Sequence, residues 1–176
     1  MNDKPDYFAL FSLPAQFPID RETLDRNFRR LQQTVHPDRF AGASDQERRL
    51  AMQQAAEINE AYRILKDPLA RGRYLLELRG HPLAEEQATH QDPAFLMQQM
   101  ELRESLEAVS SAGDPLGAMQ ALISEIENQY HTLTEALAAA LAADDREQAV
   151  VTLQRMQFFQ KLLAETEELE ADLDDF

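Results

Sequence analysis

Arg21-Glu22-Thr23-Leu24-Asp25-Arg26-Asn27-Phe28-Arg29-Arg30-Leu31-Gln32-Gln33-Thr34-Val35-His36-Pro37-Asp38-Arg39-Phe40 decides the fold of the first half of this chain. Leu24, Phe28, Leu31 and Val35 recur at three- and four-residue intervals, the spacing of one buried helix face. Arg21, Arg26, Arg29 and Arg30 fall on the polar side. Asp20 is placed to accept from the free amides of a first turn, so a helix is expected over about 21–36. Pro37 disfavours helical geometry at His36 and stops it. A second amphipathic run follows, with Ala51, Ala55, Ile58, Tyr62 and Leu65 apolar and Ser44-Asp45-Gln46-Glu47 in the S-x-x-E form of a capping box. A helix over about 45–66 is expected. Two helices of matching period joined by a short loop imply an antiparallel hairpin with His36-Pro37-Asp38 at its tip.

The remaining segments also read as helix. Tyr7 to Phe11 is a short apolar turn closed by Leu13-Pro14. Asp67-Pro68, Asp92-Pro93 and Asp114-Pro115 each supply a cap followed by a proline at the first helical position. They open helices expected to end at Gly80, to fade at Ser110-Ser111-Ala112-Gly113, and to reach about 143. Asp144 or Asp145 starts the last helix, which runs to about Leu173. Residues 81–92 carry Pro82 and two histidines without helical period and read as a linker. The expected fold is all-α: a hairpin domain over 1–80 with short flanking helices, then a three-helix bundle over 93–176.

Composition narrows the function. The chain has 176 residues, 44% of them hydrophobic, and no cysteine, which excludes disulfides, thiolate metal sites and a Cys nucleophile. His81, His90 and His131 show no metal-ligand spacing with His36, and no Gly-rich phosphate loop or nucleophile motif is present. No catalytic residue, metal or cofactor is expected. The first residues lack the pattern of a targeting signal, and the longest apolar stretch, Ala136 to Ala143, is far below the ~20 residues a membrane span needs. A cytoplasmic, soluble protein is expected. The net charge of −15 is uneven: residues 1–80 carry 13 Lys+Arg against 12 Asp+Glu, and residues 81–176 carry 4 against 20, a balance of +1 beside −16. An acidic surface repels phosphate backbones, so neither nucleic acid nor an anionic membrane is an expected partner.

The tip has chemistry suited to protein docking. Proline turns the chain out of the helix and leaves its neighbours exposed. Asp38 offers two acceptor oxygens for an arginine on a partner, and His36 can donate or accept. Arg26, Arg29 and Arg30 share one helix face and with Arg39 form a positive strip beside the tip, suited to steering toward an acidic partner. Taken alone, His-Pro-Asp is an ordinary helix stop and arginines on a helix an ordinary solvated face. The tip, the strip and the opposing helix in correct hairpin order set this segment apart.

Phe28-Arg29-Arg30-Leu31, His36-Pro37-Asp38-Arg39-Phe40 and Ile58-Asn59-Glu60-Ala61-Tyr62-Arg63-Ile64-Leu65 together resemble the J-domain of DnaJ-type co-chaperones, over residues 6–75. The resemblance implies an antiparallel helix pair bracketed by shorter helices. It also implies that His36, Pro37, Asp38, Arg26, Arg29 and Arg30 bind a DnaK-type chaperone and stimulate its ATP hydrolysis. The Arg-rich basic helix and the segment Arg73-Tyr74-Leu75-Leu76-Glu77-Leu78 depart from general J-domains and point to a specialised branch.

In the acidic half, Phe95, Leu102, Leu106 and Val109 cluster on one helix face, whereas Leu96, Met97 and Met100 point roughly 100–200° away, beside Glu104 and Glu107. This second stripe either buries against another bundle helix or remains exposed as a binding patch, with methionine suited to adaptable contact. In the last helix Met156, Phe159 and Leu163 make the core stripe, and Phe158, rotated about 100° from Phe159, either joins the core or completes such a patch.

Asp6-Tyr7-Phe8-Ala9-Leu10-Phe11-Ser12-Leu13-Pro14, Arg73-Tyr74-Leu75-Leu76 and Ala94-Phe95-Leu96-Met97-Gln98-Gln99-Met100-Glu101-Leu102-Arg103-Glu104 are similar to the HscB family, J-proteins of iron–sulfur cluster assembly. Ser12 stands where that family commonly has glycine. The resemblance covers essentially the whole chain. It implies that the acidic bundle binds the cluster scaffold IscU through Leu96, Met97, Met100, Glu101, Glu104 and Phe158, while the J-domain engages the chaperone HscA. A J-domain protein delivering a different client is the alternative. An enzyme built on His36 and Asp38, or a purely structural bundle, leaves the tip and the strip without a use.

Overall fold

A computed structural model describes residues 6–83 and 92–174, with side chains as far as 171. Among these residues every regular element is helical. The chain divides into two compact units, Met1–Pro82 and Leu83–Phe176. Most of the expected linker, residues 84–91, lies outside the described residues.

The first unit holds α1 (Tyr7–Leu10), α2 (Arg21–Thr34), a 3-10 turn (Pro37–Phe40), α3 (Asp45–Lys66) and α4 (Pro68–Leu78). The Asp20 carboxylate accepts from the amides of Glu22 and Thr23 at 3.0 and 3.3 Å and so opens α2. Helix α2 ends at Thr34, slightly short of the expected limit. Pro37 holds His36 in extended geometry, φ −61° and ψ 134°, and Val35 closes the helix by donating its N–H to the Gln32 carbonyl. Both halves of the capping box form at α3: the Ser44 amide donates to the Glu47 carboxylate at 2.8 Å, and the Glu47 amide donates to Ser44 Oγ at 3.3 Å. Gly80 ends α4 at φ 81°, left-handed geometry that lets His81 N–H reach the Leu76 carbonyl at 2.8 Å.

The apolar stripes meet as their spacing requires. Leu24, Ala51, Ile58 and Leu65 are buried, as are Phe8, Phe11 and Leu75. Phe28 of α2 lies flat on Tyr62 of α3, with centroids 3.9 Å apart and ring planes 12° from parallel. A pair of this kind contributes roughly 0.5–1.5 kcal/mol beyond its burial. Arg71 of α4 is buried, donates to the carbonyls of Phe17 at 2.8 Å and Leu65 at 2.6 Å, and lies over the Phe17 ring. It ties the loop before α2 to the end of α3.

The second unit holds α5 (Pro93–Val109), α6 (Pro115–Ala142) and α7 (Arg146–Asp174). Asp92 and Asp114 cap α5 and α6 through the amides of Ala94 and Gly117, both at 3.0 Å. Asp144 and Asp145 divide the last turn between them. Asp144 takes the left-handed position at φ 55°, and the Asp145 carboxylate accepts from Gln148 N–H at 3.0 Å to start α7. Phe95, Leu102 and Val109 of α5, Met119, Leu122 and Ile126 of α6, and Phe159 and Leu162 of α7 form one core, so the three helices make the expected bundle.

One core position shifts. Leu162 is buried, and the expected Leu163 is only half-buried at the edge of the core. Helix α7 buries Ala149, Thr152, Leu153, Met156, Phe159, Leu162 and Thr166. Packing against two helices hides a wider arc than a single stripe, and Leu162 falls inside it.

Candidate functional site: a tip and an apolar patch

The chain turn that follows α2 presents the tip. His36 is the residue before Pro37, so its backbone is extended and its ring folds over the 3-10 turn, where Nδ1 accepts from Asp38 N–H at 3.3 Å. The same nitrogen lies 3.5 Å from Asp38 Oδ2. The Asp38 side chain is 92% exposed and that of His36 is 59% exposed. An exposed carboxylate on a proline-fixed turn is ready to receive an arginine fork without rearranging first.

Arg26, Arg29, Arg30 and Arg39 are all exposed. Arg26 donates to Thr23 Oγ1 at 3.0 Å, which leaves its charge at the surface. Arg29 reaches the tip: with Gln32, His36, Pro37, Ala55 and Asn59 it lines a groove of about 400 Å3 between α2, α3 and the turn. Gln32 Nε2 donates to Asn59 Oδ1 at 3.3 Å and joins the two helices beside this groove. Gln32 and Asn59 escaped the sequence reading because an uncharged pair 27 residues apart leaves no periodic signal. The structure thus brings His36, Pro37, Asp38 and Arg29 together, with Arg26 about one turn further back along α2 and Arg30, next to Arg29, outside the groove lining.

In the second unit the ambiguous stripe resolves as exposed. Leu96, Met97 and Met100 are 42%, 62% and 56% exposed, and Glu101 and Glu104 are exposed beside them. Together these exposed side chains form an apolar patch on two turns of one helix. Phe158 is half-buried. Its ring meets Phe95 edge-on at 5.8 Å and Phe159 at 5.3 Å, and the Arg103 guanidinium lies 5.9 Å from its centroid. Phe158 therefore meets side chains from α5 positions on either side of Leu96, Met97 and Met100. Arg103 also pairs with Glu165 at 3.5 Å. Arg103 stands between Glu101 and Glu104 and reads in the sequence as a solvated charge.

Comparison with known proteins finds two recognised modules along the chain. Residues 6–74 match the DnaJ domain, and residues 91–167 match the HSCB C-terminal oligomerisation domain. A co-chaperone protein HscB homolog of Cupriavidus taiwanensis is 46% identical over 173 residues, covering 98% of this chain and 97% of that protein. The chain belongs to the HscB co-chaperone family. The HscB structure from Vibrio cholerae superposes with a TM-score of 0.84 at 45% identity, covering 96% of this chain and 99% of that one. The human HscB crystal structure gives 0.86 at 29% identity, covering 97% and 84%. Both superpositions span the J-domain and the C-terminal helical domain. An HscB-family chain is a co-chaperone and not an enzyme, and its DnaJ domain makes an Hsp70-type chaperone its partner. No described helix is long and apolar enough to cross a membrane.

Proposed function

We propose that this chain delivers the iron–sulfur scaffold IscU to the chaperone HscA and stimulates HscA ATP hydrolysis. In this reading residues 1–80 face the chaperone, residues 93–176 face the scaffold, residues 81–92 join them, and the protein works in the cytoplasm. The supporting observation is the pairing, on one chain, of two exposed surfaces with different chemistry. One is a charged tip of His36, Pro37 and Asp38 with the Arg26, Arg29 and Arg30 strip. The other is the apolar patch of Leu96, Met97 and Met100, rimmed by Glu101 and Glu104 and flanked by Phe158.

Each surface suits its partner. The strip attracts an acidic chaperone face, and Asp38 accepts a charge-assisted hydrogen bond from a chaperone arginine that forms only in the stimulated state. The patch gains affinity by removing apolar surface from water, and its glutamates set the orientation of a partner bearing basic side chains. The co-chaperone acts by holding both proteins at once, which raises the effective concentration of scaffold at the chaperone.

The test is a single-turnover HscA ATPase assay with and without IscU. Asp38→Asn is expected to leave the circular-dichroism spectrum and IscU affinity unchanged and to remove stimulation. Stimulation that survives the substitution overturns the role given to the tip.

A further inference from the structure

Arg155 stands on α7 at the point where α5 begins. Its Nη2 donates to Asp92 Oδ2 at 2.7 Å, and its guanidinium lies 5.2 Å from the centre of the Phe95 ring. Asp92 uses its other oxygen, Oδ1, to accept from Ala94 N–H and cap α5. One carboxylate thereby both starts α5 and ties it to α7 across 63 residues of sequence. Phe95, under the guanidinium, packs edge-on against Phe158. The series Asp92, Arg155, Phe95, Phe158 connects the first turn of α5 to the aromatic residue that flanks the patch. Leu96 and Met97 belong to that same first turn. The Arg155 and Asp92 side chains are 34% and 46% exposed, so solvent screens the pair and its effect on overall stability is small. That modest energy acts locally, on the first turn of α5, whose fraying scatters Leu96 and Met97 relative to Phe158.

We propose that Arg155 is a positioning residue for the scaffold-docking face, holding the first turn of α5 on α7 through Asp92 and Phe95 so that Leu96, Met97 and Phe158 form one pre-organised surface. This rests on the docking reading above. Affinity here comes from contacts made elsewhere, and Arg155 lowers the ordering cost of making them.

The test is titration calorimetry of the full chain with purified IscU, alongside the HscA ATPase assay. Arg155→Met and Asp92→Asn are each expected to weaken IscU binding about three- to tenfold. Asparagine remains a good cap, so Asp92→Asn removes the charge and leaves the helix start. The double variant is expected to bind no more weakly than either single one, since the two residues act as one unit. Arg155→Lys, which keeps the cation and loses the flat guanidinium over Phe95, is expected to fall between wild type and Arg155→Met. The IscU concentration for half-maximal stimulation rises by the same factor in the weakened variants, with the plateau and the IscU-independent stimulation unchanged. Arg155→Met binding at wild-type affinity, or effects that multiply in the double variant, overturns the proposal, as does a lysine variant as weak as the methionine one. Met100→Ala serves as the control for the underlying reading. If it also binds normally, the patch assignment fails; if it alone binds weakly, only the role of Arg155 fails.

Discussion

Ser12 has φ 55°, the left-handed geometry that glycine enters without strain. A side chain with a Cβ carries a steric cost there, partly offset by the lower entropy of its unfolded chain. Ser12→Gly is therefore expected to stabilise the first unit by roughly 0.5–1 kcal/mol, read as a higher urea midpoint at constant slope. Asp25 supports a second prediction. Its carboxyl is held below its ordinary 3.8 chiefly by the Tyr62 hydroxyl, which donates at 2.9 Å, with Arg21 adding a further contact. A depressed carboxyl stabilises the fold above its unfolded pKa, and the contribution disappears as pH falls through the folded value. The stability deficit of Tyr62→Phe relative to wild type is expected to be constant from pH 7 to about pH 5 and to shrink once pH falls below 3.8. Urea titrations of both proteins across that range check it; a deficit that grows in acid refutes the coupling. Neither Ser12's strain nor Asp25's partner is visible in a local window, because one is a dihedral angle and the other joins residues 37 positions apart.

Among the elements, α2 and α3 follow from local rules. Capping side chains, the proline and the apolar period all specify the same boundaries, and such agreement makes short-range reading reliable. Helix α5 is different. Its Phe95, Leu102, Leu106 and Val109 stripe reads as core from the helical projection, but only the positions of α6 and α7 determine whether the second stripe is covered too. Helix α7 likewise hides Leu162 in preference to Leu163 because two neighbours, and not one, define its inner arc. Phe159 lies fully within that arc and contacts both Phe95 and Phe158. Phe159→Ala is expected to destabilise the bundle by roughly 3–5 kcal/mol, through lost burial and the cavity left behind. Denaturant unfolding followed by far-ultraviolet circular dichroism measures the loss. IscU affinity should fall with it, while IscU-independent stimulation by the tip persists.

Across the whole molecule, charge is separated by unit. The near-neutral first unit carries Arg26, Arg29, Arg30 and Arg39 exposed along α2 and the turn after it, and residues 81–176 carry a balance of −16. Self-repulsion destabilises a compact acidic bundle, and salt screens both that repulsion and the attraction of the arginine strip for an acidic chaperone. Raising sodium chloride from about 0.05 to about 0.5 M shortens the screening length severalfold. The melting temperature of the bundle is expected to rise and HscA affinity to fall. IscU binding, which depends on the apolar patch, should change least. Equal loss of both affinities contradicts this separation.

By itself the sequence determined the helical elements and their caps, the tip of His36, Pro37 and Asp38, the charge asymmetry and the family resemblance. Each of these depends on residues close in sequence, where backbone geometry and periodicity act directly. Only the tertiary structure decided that Leu96, Met97 and Met100 stay in solvent, that Phe158 is half-buried, that Gln32 meets Asn59 beside the tip and that Arg155 reaches Asp92. Those facts belong to pairs of helices brought together by burial of their apolar faces, and a residue's neighbours across such an interface have no fixed distance from it along the chain.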